Sequence, residues 1–180
     1  VQRIMMHLPD HVTLFFLFIL GASFGSFFNV VIYRMPEKMS LIKPVSHCES
    51  CKTPIKPWDN IPILSYFILG GKCRNCGAPF SLRYPLIEAL TAFMTLWLFS
   101  IYGINKEFFM YIILTYLSIV ITFVDSDHSI IPKTFLLLGI AVMAIGITLG
   151  WFPIGSENGV SGGMILTGFL LVMGLNRIFR

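Results

Sequence analysis

Long apolar runs separated by short polar breaks dominate this chain. Five of them, at roughly 12–33, 85–103, 108–124, 134–152 and 160–176, reach or approach the 18 residues a helix needs to cross a hydrocarbon core. In lipid each backbone N–H and C=O must be satisfied within its own segment, so these runs predict helices rather than open strands. The pattern breaks once at length, over residues 34–83. Inside that polar stretch, PWDNIPILSYFILGGK carries an apolar middle, Ile61 to Leu69, that is too short to span. It reads as an interfacial or re-entrant segment laying the loop against the membrane. The fold class expected is an all-α polytopic membrane protein with about five transmembrane helices and one substantial loop between the first and second.

Composition strengthens this picture and charge orients it. Of 180 residues, 56% are hydrophobic and 12% charged, with a mean hydropathy of +0.79; a soluble domain carries about 25% charged residues. The small residues GASFGS at the end of the first run raise the question of a cleaved signal peptide. The basic residues answer it, because Arg34, Lys38, Lys43, Lys52, Lys56, Lys72, Arg74 and Arg83 all follow that run, and cytoplasmic loops hold the excess of Lys and Arg. Alternating from there puts Lys133, Arg177 and Arg180 on the same side, so the expected topology is N-terminus outside, with the 34–83 loop, Asp125 to Lys133 and the C-terminus inside. The net charge of +4 requires no nucleic acid, and the basic loop suits anionic lipid headgroups. The domains expected are 1–33, an N-terminal segment and first transmembrane helix; 34–83, a cytoplasmic loop; and 84–180, a transmembrane region.

All four cysteines lie in the loop, as HCESC (Cys48, Cys51) and KCRNC (Cys73, Cys76). A two-residue gap lets both thiolates of one tight turn point at a common centre, and two such turns supply the ligands of a tetrahedral zinc. Four thiolates leave no position for water, so the zinc is expected to be structural, fixing a fold too small for a large core of its own. Two disulfides are the alternative, disfavoured by a reducing cytosol. His47 is a candidate substitute ligand or neighbour.

Ionisable groups at membrane depth are functional candidates by default. Glu88 lies about one turn into the second run, where snorkelling to the interface is the structural alternative. Asn29 is placed to hydrogen-bond across helices, and Gly21, Gly25 and Ser26 form a small-residue face for close packing. Asp125 and Asp127, in FVDSDHSIIPKT, stand two residues apart and so point about 200° from each other on a helix. They cannot share a proton. With the third helix expected to end near residue 124, Asp127 and His128 fall in the turn closed by Pro132, and Asp125 is the carboxylate expected to be partly desolvated.

Four segments together, GSFFNVVIYRMP, SHCESC, WDNIPILSYFILGGKCRNCGAPFSLRYPLIEALTA and VDSDHSIIPK, resemble the type IV prepilin peptidases, bifunctional leader peptidases and N-methyltransferases of the bacterial inner membrane. The resemblance implies an aspartic peptidase of the G-x-G-D type, with Asp125 as the first catalytic aspartate and the second in a G-x-G-D motif beyond a later span. No G-x-G-D occurs in these 180 residues, which end in NRIFR. The chain therefore reads as truncated before the second aspartate, and inactive alone as a peptidase unless Asp127 or Glu88 supplies the other acid. The resemblance further implies cleavage of the basic leader of type IV prepilins and type II secretion pseudopilins at the cytoplasmic face. Methylation of the new N-terminus from S-adenosylmethionine would follow, with Gly71 matching a glycine associated with methyl transfer. Two other functions stay open on the residues themselves: a zinc-ribbon membrane adaptor without catalysis, and a metal-dependent glycosyltransferase using the D-x-D.

Overall fold

The computed structural model describes residues 10–130 and 132–151. Five α-helices follow one another: α1 (Asp10–Arg34), the short α2 (Leu64–Ile68), α3 (Arg83–Tyr102), α4 (Lys106–His128) and α5 (Lys133–Thr148), with one 3-10 turn at Pro57–Asn60. Three of them, spanning His11–Arg34, Arg83–Tyr102 and Lys106–His128, are long and apolar enough to cross a membrane. Their outward side chains fit that solvent: Phe15 and Phe16 on α1 and Phe93 on α3 are about 60% exposed, an apolar surface that lipid tolerates and water does not. The protein is a multi-pass helical membrane protein.

The chain divides into two compact units, one formed by Val1–Val31 with Ser40–Trp97, the other by Ile32–Met39 with Leu98–Arg180. In the first, α1 and α3 approach through small residues, as the Gly21 and Gly25 pattern predicts. A Cβ at Gly25 would lie 2.6 Å from the Glu88 Cα, and one at Gly21 2.7 Å from the Ala92 Cα. No side chain fits there. The facing Thr91 and Thr95 are wholly buried and return their hydroxyls to the Ile87 and Thr91 carbonyls, at 2.7 and 2.8 Å, so the seam holds no orphaned donor. Asn29 does bond across helices, donating to the Tyr84 carbonyl at 3.1 Å.

In the second unit a tight turn joins α3 to α4. Gly103, at φ +64, lets α3 end, and Asn105 accepts from the Phe108 N–H while donating to the Tyr102 carbonyl. Tyr102 and Tyr111 stack at 4.7 Å across that turn. Helix α4 packs against α5, where Gly139 meets Leu117.

Two boundaries differ from expectation. Helix α4 runs on through Asp125, Asp127 and His128, because nothing in DSDH obstructs a helix; Ser129 ends it in the left-handed region, its N–H on the Asp125 carbonyl at 2.9 Å. Helix α5 stops at Thr148 rather than 152, closed by Gly150 at φ +64 with the Trp151 N–H on the Gly146 carbonyl. Sixteen residues rise about 24 Å, short of a hydrocarbon core of about 30 Å. The run expected at 160–176 lies outside the described residues.

Candidate functional sites: a cysteine centre and a helix-end carboxylate

The loop brings its four cysteines together. Cys48, Cys51, Cys73 and Cys76 hold all their Sγ atoms within 4.8 Å of one another, with Cys48 to Cys76 at 3.8 Å and Cys51 to Cys73 at 4.0 Å. Four sulfurs at zinc–thiolate bond lengths of about 2.3 Å sit about 3.8 Å apart in a tetrahedron. The arrangement fits one metal ion. His47 stays out of it, its Nδ1 being 3.1 Å from the Val45 carbonyl.

Each cysteine pair is set by the same backbone device. Cys48 donates to the Thr53 carbonyl, Lys52 to the Cys48 carbonyl and Ile55 to the Ser46 carbonyl; twenty-five residues later Cys73 donates to Ala78, Gly77 to Cys73 and Phe80 to Gly71. Lys52 and Gly77, both with positive φ, occupy the same place in the two turns. SHCESCKTPI and GKCRNCGAPF are thus two versions of one knuckle, each with a proline and a large apolar residue at its end. That repeat is visible in the sequence once the prolines are aligned with the cysteines, and a reading confined to C-x2-C misses it.

Electrostatics inside the cluster favour a cation. The Cys51 thiol falls to about 6, first through the Thr53 hydroxyl and N–H and then through Asn75, while Cys76 rises to about 12. The Ala78 N–H pulls Cys76 down, but the neighbouring cysteines, led by Cys51, and burial outweigh it. Two thiolates in this cluster, Cys51 and Cys48, are stabilised by neighbouring donors, for Cys48 chiefly the Cys51 N–H; four require a metal charge at their centre.

The second knuckle is tied to the segment before it. Arg74 forks onto the Asp59 carboxylate at 2.6 to 3.1 Å, a hydrogen-bonded cation that holds the Asp59 carboxyl below its ordinary range. Gly71, buried at φ +67, has the Tyr66 ring over it, so that a Cβ would lie 2.8 Å from the phenol oxygen. Glu88 does not snorkel. It is 8% exposed, accepts the Ile63 N–H at 2.7 Å and also hydrogen-bonds Ser26. Sequence reasoning could find the buried acid but not its partner, a backbone amide twenty-five residues earlier. Arg34, counted above only as a topological charge, is 6% exposed at the end of α1.

The other candidate lies at the end of α4. Asp125 is half-buried and Asp127 exposed, one on each side of the helix's final turns, and His128 ends the helix. A half-buried carboxylate can serve as base or acid. Geometry separates it from Asp127, so a carboxylate pair needs a partner from another element.

Residues 19–102 match the family model described as the bacterial peptidase A24 N-terminal domain, a stretch that includes both knuckles, Gly71 and Glu88. The prepilin leader peptidase/N-methyltransferase of Myxococcus xanthus is 39% identical over 142 residues, 79% of this chain and 41% of that protein. The enzyme of the same name from Neisseria gonorrhoeae is 38% identical over 140 residues, 64% of this chain and 49% of that protein. The type 4 prepilin-like proteins leader peptide-processing enzyme of Escherichia coli O78:H11 is 34% identical over 179 residues, covering 88% and 65% respectively. The chain spans about half the length, or less, of the first curated relatives it matches. No solved structure matches it.

Proposed function

Because the chain belongs to the family of prepilin leader peptidases/N-methyltransferases, we propose that it forms the N-terminal part of an inner-membrane enzyme that cleaves prepilin leaders by aspartic chemistry. The observation that carries this reading is the half-buried Asp125 in the last turns of α4. In such a reaction one carboxylate takes a proton from water as the water oxygen bonds to the scissile carbonyl carbon. A second, protonated carboxyl polarises that carbonyl, and the amine leaves with a proton. Asp125 supplies one carboxylate, and a G-x-G-D aspartate is the expected other. Asp127, exposed and on the far side of the helix, aids only through charge. Carboxylates beside the partial negative charge of a helix C-terminus also favour a substrate with a basic leader, as prepilins and pseudopilins have. In this topology α1 starts outside and both the loop and the end of α4 face the cytoplasm.

The four cysteines hold a structural zinc that fixes the loop. The relatives' names support methylation of the cleaved N-terminus, for which S-adenosylmethionine would supply the methyl group. No glycine-rich nucleotide turn marks a donor site among the described residues; Gly71 is a candidate through the resemblance. The glycosyltransferase alternative loses support from the helix, since Asp125 and Asp127 on opposite sides of it cannot chelate one cation. The adaptor alternative is separated by experiment. In the full-length protein, Asp125→Asn is expected to abolish prepilin cleavage in membranes while Asp127→Asn only slows it, and undiminished cleavage by Asp125→Asn would remove the peptidase assignment.

A further inference from the structure

The segment between the knuckles keeps one face uncovered. Leu64, Phe67 and Ile68 share a side of α2 by their i, i+3, i+4 spacing and are 59%, 67% and 72% exposed, and Trp58 and Ile61 just before the helix are exposed as well. Tyr66, off that side, turns inward, donating to the Phe80 carbonyl and covering Gly71. The loop therefore has a folded inner surface and an apolar outer one, and exposed apolar side chains gathered on one short segment mark a surface that meets something.

Two observations say what. The first is depth. The Ile63 N–H, immediately before α2, is held by Glu88, five residues into α3 and so about 7.5 Å along a membrane helix from its start. That pin is built into unusual backbone: Ile63, a β-branched residue, has φ +65 and ψ −56, and the Leu64 N–H closes a γ-turn onto the Pro62 carbonyl. Helix α2 thus begins at the level where a span meets its headgroups. The second is charge. Residues 34–83 hold eight basic side chains against three acidic, Glu37, Glu49 and Asp59, and Asp59 is already engaged by Arg74. Lys52, Lys56 and Lys72 are exposed, and the Lys56 ammonium stands 5.4 Å from the Trp58 ring centre. An indole beside a lysine is the pairing found where headgroups meet acyl chains.

We propose that Trp58, Ile61, Leu64, Phe67 and Ile68 seat in the headgroup–acyl boundary of an anionic phospholipid leaflet, with the neighbouring lysines on its phosphates. A helix of five residues cannot re-enter the bilayer, so the segment lies in the interface. The proposal rests on the membrane-spanning fold and on neither peptidase nor methyltransferase activity.

Three tryptophans are present in these 180 residues, so Trp97→Phe with Trp151→Phe leaves Trp58 as the sole indole among them. Reconstituted in nanodiscs with lipids brominated in the upper acyl chain, Trp58 is expected to lose about half or more of its emission. The loss should be larger with phosphatidylglycerol than with pure phosphatidylcholine, and that difference should shrink in Lys52→Gln/Lys56→Gln/Lys72→Gln, which touches no core residue. Leu64→Glu with Phe67→Glu should return the emission to that of a water-exposed indole. Emission indifferent to brominated lipid, or protected only in discs holding two chains or only when prepilin is added, would overturn the proposal. Equal quenching in both lipids would likewise overturn it.

Discussion

Gly71 is a residue at which one methyl group decides local structure. Its positive φ and the Tyr66 ring above it both oppose a side chain, so Gly71→Ala should displace that ring and destabilise the second knuckle by about 1–3 kcal/mol. Hydrogen exchange over residues 64–80 measures this, and unchanged exchange would refute it. A loss of methyl transfer in the same variant then has two explanations. Recovery in Gly71→Ala/Tyr66→Ala would assign it to loop geometry, whereas continued loss would favour contact with the donor. At this scale the sequence was uneven. The opposed directions of Asp125 and Asp127 follow from helical spacing alone, and the structure leaves one half-buried and the other exposed. Glu88 could be recognised as costly but not explained, since its partners belong to the loop and to α1 and no local pattern announces a tertiary contact.

Among the elements, the knuckles were the most legible, because ligand spacing is itself a geometric statement. Helix ends were less so. Polarity predicts an end of α4 about a turn before the real one, since Asp, Ser and His all continue a helix and a left-handed Ser129 is what stops it. The elements of the loop are also held by charge. Asp59 has its carboxyl lowered by the hydrogen-bonded Arg74, so the pair contributes stability above the unfolded carboxyl value of about 3.9 and loses it as pH falls through the lower folded value. The difference in amide protection around Arg74 between the native chain and Asp59→Asn should therefore hold from neutral pH to about pH 4 and close below it. It should be small and salt-sensitive, since Arg74 is 54% exposed. A difference that widened in acid would exclude this origin.

For the molecule as a whole, apolar run length predicts five spans, of which three are helices long enough to cross a membrane among the described residues, because lipid leaves the backbone few alternatives. The α1–α3 seam was foreshadowed by Gly21 and Gly25. The duplication of the knuckles shows only when the prolines are aligned with the cysteines, and it bears on how the loop is built. Each knuckle closes on itself, Ser46 to Ile55 and Gly71 to Phe80, and residues 56–70 supply none of the four thiols, although they brace the second knuckle through Asp59, Tyr66 and the Leu69 carbonyl. The loop combines a ligand cassette with an insert that braces its second half. A flexible Gly/Ser tract of equal length in place of 56–70 should leave bound zinc near one per chain, as Cys73→Ser would not, while the loop's hold on anionic lipid disappears. Metal content and lipid contact measured on that chimera would show how far the metal site stands without the membrane foot that braces it.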